Sequence, residues 1–90
     1  MLRDEKRYNL KEFLGLLEEW KGKDSWYVVS RRCHINHGVI SQIIHGKYKP
    51  GYRTIAKLAC IAPLAERNRL YNKLLEAAGI GGYWHEQDDH

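Results

Sequence analysis

The fold is decided by residues 25–52, which read SWYVVSRRCHINHGVISQIIHGKYKPGY. This stretch predicts two short helices, a tight turn between them and a basic loop after them. The first helix is expected over 26–33 with Ser25 as its N-cap, because a serine hydroxyl can accept an amide hydrogen of the first turn. Val29 and Cys33 are four positions apart, so they share one face of that helix.

The second helix follows a turn at 34–36 and is predicted over 37–45. Asn36 is its expected cap, and Gly46 is expected to end it. The inner face at helical spacing carries Ile40, Ile43 and Ile44. The opposite face carries His37, Gly38, Ser41, Gln42 and His45. Helices this short depend on packing against the rest of the chain, and that packing would turn the polar face outward.

Three further helices are predicted around this pair, so the chain is expected to be all-α with five helices. The first begins after Asn9, and Glu12 stands where it would complete a capping box. Tyr8 and Phe13 are placed for a hydrophobic staple across that cap, and Gly22 ends the helix. Its predicted apolar stripe is Leu10, Phe13, Leu14, Leu17 and Trp20, with Leu16 at the edge.

The two remaining helices follow the basic loop. Pro50 cannot continue a helix, so the fourth is predicted from Tyr52 to about Ile61, with Cys60 in its core register. Its expected buried residues are Ile55, Leu58 and Ala59. The fifth is predicted over 64–78 and ends at Gly79 in a Schellman cap. Its apolar residues are Leu64, Leu70, Tyr71, Leu74, Leu75 and Ala78.

Ninety residues indicate one domain. We expect a polar lead over 1–8, a helical domain over 9–80 and a flexible tail over 81–90. The aromatic pair at 83–84 is expected to pack back on the domain or to contact a second subunit. No apolar run approaches the roughly 18 residues of a membrane span, and the charged start is unlike an export signal. Two cysteines 27 positions apart predict reduced thiols in a cytoplasmic protein.

The net positive charge comes from one part of the chain. Residues 1–22 carry five basic and five acidic residues, and residues 58–90 carry three basic and five acidic ones. Residues 23–57 carry seven basic residues against Asp24 alone, a net charge of +6. Such a cluster is typical of a surface that binds a polyanion, and the alternative is a solvated basic surface without a partner.

Residues 25–52 resemble the helix-turn-helix of the lambda-repressor/Cro-like (XRE-type) family. The apolar sites of that motif are filled here by Val29, Ile35, Ile40 and Ile43. Ser30 stands where the second helix crosses closely and the motif favours a small residue. The family's ending of glycine, basic loop and proline reads Gly46-Lys47-Tyr48-Lys49-Pro50. The resemblance covers about Phe13 to Gly79, with two departures: His34 replaces a frequent glycine, and Trp26 replaces a frequent phosphate-binding glutamine.

The resemblance implies a lambda-repressor-like domain that binds double-stranded DNA sequence-specifically as a transcriptional regulator of bacterial or phage-like origin. It also implies a homodimer, with regulation through its concentration, a regulatory protein partner or proteolysis. The chain is not expected to be an enzyme or to need a cofactor. With these implications, His37, Gly38, Ser41, Gln42 and His45 are the predicted base-reading residues. The predicted backbone contacts are Trp26, Arg31, Arg32, Asn36, Lys47, Tyr48, Lys49, Arg53, Thr54 and Lys57.

The residue types suit these roles. Gln42 can bond the adenine edge with two hydrogen bonds, Ser41 suits several base edges, and the histidines can donate to guanine or to phosphate. Gly38 either lets the helix approach DNA closely or is simply a poor helix former. Since 37–45 contains no arginine or lysine, the flanking basic residues are expected to supply affinity.

Other functions are less well supported. A zinc site would use Cys33, His34, His37 and His45, but the chain lacks the usual C-x₂₋₄-C pair. There is no glycine-rich phosphate loop and no recognisable catalytic triad. RNA binding would need a platform of stacking aromatics, which the sequence lacks. A protein-interaction or antitoxin-like module stays open, because Trp26, Tyr27 and the aromatics at 83–84 suit a protein interface.

Overall fold

A computed structural model describes residues 8–80, and this part of the chain folds into five α-helices without a strand. The helices are α1 (Leu10–Lys21), α2 (Trp26–Cys33), α3 (His37–Ile44), α4 (Tyr52–Leu58) and α5 (Leu64–Ala77). A 3₁₀ turn, Ala59–Ile61, continues α4. The all-α prediction is therefore confirmed for 8–80, whereas the predicted joint and aromatic pair at 81–84 lie outside the described residues.

The three predicted N-caps are confirmed. Side-chain oxygens accept backbone hydrogen bonds in α1 (Asn9 Oδ1 from Glu12 N, 3.1 Å), α2 (Ser25 Oγ from Val28 N, 3.2 Å) and α3 (Asn36 Oδ1 from Gly38 N, 2.7 Å). The staple contact is also present, because the rings of Tyr8 and Phe13 meet edge to face with centroids 5.8 Å apart. The starts of α1, α2 and α3 are thus fixed by residues within four positions of them, whereas α4 and α5 have no side-chain cap.

Residues with positive φ end four of the helices, and Gly22 after α1 has φ +59°. Gly46 after α3 has φ +75° and Gly79 after α5 has φ +78°, as the sequence predicts. At the end of α5, Gly79 N–H donates to Glu76 O (3.0 Å) and Ile80 N–H donates to Leu75 O (3.1 Å), which is the Schellman pattern. The fourth is His34 after α2, which is not a glycine and has φ +57°.

One hydrophobic core receives side chains from every helix. Its largest members are at most 3 % exposed: Phe13, Leu17, Val29, Cys33, Ile40, Ile43, Ile55, Leu58, Ile61, Leu70 and Leu74. Helix α1 packs on α5, while α2 packs on α3 and on the 3₁₀ turn. The core-facing side of the α2–α3 pair is therefore packed against the other elements.

The predicted burial of two apolar residues, Trp20 and Leu64, is wrong. Trp20 is 37 % exposed, and it borders a shallow cleft shared with charged side chains of α5. Leu64 is 77 % exposed. Leu64 is the first residue of α5, and Leu75, only about 20° from it around the helix, is buried, so its exposure reflects its place at the end of the helix rather than the face on which it lies. Cys60 is half-buried rather than in the core, because the chain tightens into the 3₁₀ turn after Leu58.

The predicted capping box forms only in part. Asn9 accepts from Glu12 N, but its own N–H donates to Ala77 O at 2.7 Å instead of to the Glu12 carboxylate. The end of α5 thus replaces the local partner. Among the helices of residues 8–80, none has both the length and the apolar character that crossing a membrane requires.

Candidate nucleic-acid interface

The turn between α2 and α3 is held by backbone hydrogen bonds. His34 N–H donates to Arg31 O (3.3 Å), and Ile35 N–H donates to Ser30 O (2.9 Å). Ser30 is 3 % exposed, and its hydroxyl donates to Tyr27 O at 2.6 Å. With Asn36 capping α3, the turn is bonded on both sides, so the orientation of α3 against α2 is fixed locally.

Helix α3 exposes the face that the sequence predicts. Ile40 and Ile43 are each 2 % exposed and point into the core. Four of the five predicted base-reading residues are exposed, namely His37, Gly38, Gln42 and His45, and Ser41 is half-buried. This face therefore offers an amide, a hydroxyl and two imidazoles to a partner.

Gly38 has a local packing role that neither sequence interpretation includes. A Cβ atom at this position would lie 3.0 Å from Asn36 Oδ1. That oxygen is held by the 2.7 Å hydrogen bond from the Gly38 amide, so it has little freedom to move. The absent side chain keeps the Asn36 cap in place and also leaves the outer surface of α3 flat at this point.

His45, the residue after α3, is bonded to its own helix. Its Nδ1 lies 2.8 Å from Ser41 O and 3.5 Å from Ser41 Oγ. A carbonyl oxygen can only accept, so the short contact places the ring hydrogen on Nδ1. The remaining ring nitrogen, Nε2, makes no hydrogen bond to any of residues 8–80.

Exposed cations flank α3. Lys47, Lys49, Arg53 and Lys57 are all exposed, Tyr48 is 38 % exposed and Thr54 is half-buried. Within residues 8–80, the ion pairs are those of Arg32 with Asp24 and of Arg69 with Glu66, so these four cations are not neutralised by a carboxylate there. Lys49 Nζ lies 5.9 Å from the centroid of the Tyr8 ring, which draws the loop toward the start of the domain.

The two arginines of α2 have different surroundings. Arg31 Nη1 donates to Tyr27 Oη at 3.2 Å, and its guanidinium lies 5.8 Å from the centroid of that ring. Arg32 instead donates to Ile61 O (3.2 Å) and to Asp24 (3.4 Å). Arg32 thus ties α2 to the 3₁₀ turn, whereas Arg31 lies on the exposed surface of α2.

Tyr27 is a residue of this surface that the predicted set of DNA contacts omitted. Its ring meets the His37 ring edge to face, with centroids 5.6 Å apart, and it also contacts the guanidinium of Arg31. Tyr27, Arg31 and His37 therefore form a chain of contacts from α2 to the first residue of α3. The four-residue spacing of Tyr27 and Arg31 was the available sequence signal.

Trp26 and Asn36 complete the predicted backbone contacts. The Trp26 side chain is half-buried against the core, and Lys21 Nζ lies 5.1 Å from its ring centroid. Asn36 is exposed, but its side-chain oxygen is occupied by the cap of α3. A phosphate contact from either residue stays a prediction.

Burial raises the pKa of the Cys33 thiol to about 11, so this cysteine is a protonated core residue at neutral pH. Over residues 8–80, no three histidine, cysteine or carboxylate side chains are grouped so as to hold a metal ion. Comparison of the chain with models of protein families, with curated proteins and with solved structures finds no match.

Proposed function

We propose that this protein is a sequence-specific, double-stranded-DNA-binding transcriptional regulator, with α2, the turn and α3 as a lambda-repressor/Cro-like helix-turn-helix. The observation that carries the proposal is the exposed polar face of α3, held by a bonded turn and flanked by cations that pair with no carboxylate of residues 8–80. An α-helix with its side chains is about 10–12 Å across, which suits insertion into a major groove about 12 Å wide.

Affinity and specificity come from different residues in this proposal. Helix α3 has no lysine or arginine, so the phosphate contacts fall to the flanking cations Lys47, Lys49, Arg53 and Lys57 and to Arg31 on α2. These contacts set the orientation of the protein on the duplex. They carry no sequence information, because phosphates are the same in every sequence. Arg32 contributes less, since its guanidinium is already bonded to Asp24 and Ile61.

Gln42 is the principal base reader of the proposal. It is exposed in the last turn of α3, and its amide can donate to N7 and accept from N6 of adenine in a bidentate pair. Such a pair discriminates against a wrong base by about 1–3 kcal/mol, or roughly five- to 150-fold. Ser41 and His37 lie on the same face and are available to neighbouring base pairs.

The test is selection from a random-sequence duplex library at about 100 mM salt, followed by sequencing. The wild-type protein is expected to enrich a palindrome, since a homodimer would place two copies of α3 about 34 Å apart. Gln42→Ala should lose the adenine preference at one position of each half-site. Asn72→Ala, which removes an exposed amide from α5, serves as the matched control and should select the wild-type motif.

Two results would count against this proposal. Enrichment of no motif by the wild-type protein would remove sequence-specific binding. An unchanged motif with Gln42→Ala would leave DNA binding in place but remove Gln42 from the readout.

A second candidate function is a protein-interaction module, and one observation favours it. Leu64 is 77 % exposed beside a groove of about 340 Å³ between α4 and α5. The groove is lined by Ala56, Ala59, Leu64, Arg67, Asn68 and Tyr71. An exposed leucine beside a tyrosine and two alanines suits a protein partner better than it suits a phosphate backbone.

Salt separates the two candidates. A protein that neutralises about six phosphates should lose about three orders of magnitude in affinity between 50 and 200 mM salt. An apolar contact through the Leu64 groove should change little over the same range. The measurement is a titration of labelled duplex at several salt concentrations, and the absence of salt-sensitive duplex binding would favour the interaction module.

A further inference from the structure

The imidazole ring and the backbone N–H of His45 share one acceptor, and the ring contact holds the side chain against α3. Ser41 O receives the backbone N–H of His45 at 3.0 Å and the ring Nδ1 at 2.8 Å. A carbonyl oxygen has two lone pairs, so both bonds can form together. The side chain is otherwise exposed, and it lies at the end of α3, three residues after Gln42.

The bond to Ser41 determines what the rest of the ring can do. A neutral imidazole carries one hydrogen, and here that hydrogen is on Nδ1. Its other nitrogen, Nε2, then has a lone pair and no hydrogen, so it can accept a hydrogen bond but cannot donate one. It therefore has no hydrogen to offer to a phosphate oxygen or to N7 and O6 of guanine, which are all acceptors.

We propose that His45 reads a base by accepting a hydrogen bond from an exocyclic amino group, N6 of adenine or N4 of cytosine. This inference rests on the proposed function, because it assumes that α3 lies in the major groove. It replaces the expectation that His45 donates to guanine or to phosphate. In the major groove, the amino groups of adenine and cytosine are the base donors that an acceptor-only nitrogen can use.

The arrangement gives α3 two kinds of hydrogen-bonding group on one face. Gln42 both donates and accepts, whereas the neutral ring of His45 only accepts at its exposed nitrogen. Because positions 42 and 45 are three apart, they are neighbours on the helix surface. Neighbouring base pairs would thus meet different chemical requirements, a bidentate edge at one and an amino group at the other.

The first arm of the test needs no DNA. Long-range ¹H–¹⁵N correlation spectra of histidine-labelled protein distinguish a ring nitrogen that carries hydrogen from one that does not, and His45→Ala identifies the His45 signals by their loss. We expect the Nδ1–H form near pH 7.5, with Nε2 unprotonated. A predominant Nε2–H form would overturn the inference.

The second arm uses the selected duplex. The position read by His45 is the one whose preference disappears with His45→Ala, and we expect adenine or cytosine there. Replacing that adenine by purine, which lacks the amino group, should weaken wild-type binding roughly three- to tenfold. The matched analogue, 7-deazaadenine, removes N7 and keeps the amino group, so it should bind as adenine does. For cytosine, the analogue is 2-pyrimidinone.

The His45→Ala protein is the control for both analogues, because its binding should not respond to loss of the amino group. Guanine or thymine at the His45 position, or wild-type binding that is insensitive to loss of the amino group, would overturn this inference while leaving the proposed function intact. A library that yields no enriched motif would overturn the proposed function and this inference with it.

Discussion

Among residues 8–80, His34 is the one non-glycine residue with a left-handed backbone conformation. It has φ +57° at the end of α2, where a left-handed conformation costs an L-residue roughly 1–2 kcal/mol. We expect His34→Gly to raise the free energy of unfolding by about 1 kcal/mol, measured by urea denaturation. His34→Ala is the matched control, because it removes the imidazole without relieving the backbone. Equal effects of the two substitutions would show that the imidazole, not φ, matters here.

Gly38 allows a test that separates stability from DNA binding. In Gly38→Ala, the gain in helix propensity and the strain on the Asn36 cap have opposite effects on stability. We therefore expect the free energy of unfolding to change by less than about 1 kcal/mol. DNA affinity should nevertheless fall about tenfold or more if α3 approaches the duplex closely. The matched control is Gly15→Ala in α1, where a Cβ meets nothing within 4 Å.

Gly15→Ala should stabilise the fold by up to about 1 kcal/mol and leave DNA affinity unchanged. The measurements are urea denaturation and duplex titration of both variants. Unchanged affinity with Gly38→Ala would assign the glycine to the cap alone.

At the scale of the helices, local signals were predictable and long-range partners were not. The caps at Asn9, Ser25 and Asn36 depend on side chains that reach only two or three residues along the chain, so the sequence was sufficient. Trp20 and Leu64 are at helical spacing too, yet their burial depends on which element lies opposite, and no periodicity within one helix contains that information.

Some features of the candidate site were likewise predictable from the sequence, and others were not. The exposed face of α3 follows from the alternation of isoleucines and polar residues around one helix, and the structure confirms that it is exposed. The bond from His45 to Ser41 and the ring contact of Tyr27 with His37 depend on side-chain rotamers and on the crossing of α2 and α3. Residue spacing alone does not determine either of these.

Helix α2 offers a matched pair of arginines for separating structure from binding. Arg32 donates to the carbonyl of Ile61 and joins α2 to the 3₁₀ turn, so Arg32→Ala should cost about 1 kcal/mol of stability after allowance for its exposure. Arg31→Ala should change stability little and weaken DNA binding, with a salt dependence reduced by about one counterion.

Urea denaturation and salt titration of both arginine variants would check this assignment. A larger stability loss from Arg31→Ala than from Arg32→Ala would contradict it.

The whole molecule shares one core, and Cys33 reports on its opening. The thiol is 1 % exposed, and burial raises its pKa to about 11, above the ordinary value of 9.0. The folded state therefore holds this proton more tightly, and its contribution to stability is full below pH 9 and is lost as pH rises toward 11.

In a Cys60→Ser background, we expect Cys33 to react with a disulfide reagent at pH 8 only as fast as the fold opens. Its labelling rate should rise in parallel with the unfolded fraction in urea. The matched Cys33→Ser protein, which keeps the half-buried Cys60, should be labelled much faster. Fast labelling of Cys33 in the absence of urea would mean that part of the core opens independently of global unfolding.

The hydrogen bond from Asn9 N–H to Ala77 O determines where the two ends of the folded unit lie. At 2.7 Å it brings the start of α1 and the end of α5 together, so residues 8–80 begin and end at one side of the folded unit. A few linking residues would close that gap, and new ends could be opened at the exposed 22–25 connection. The unit is therefore suited to circular permutation and to insertion into a loop of a host protein, with the face of α3 left intact.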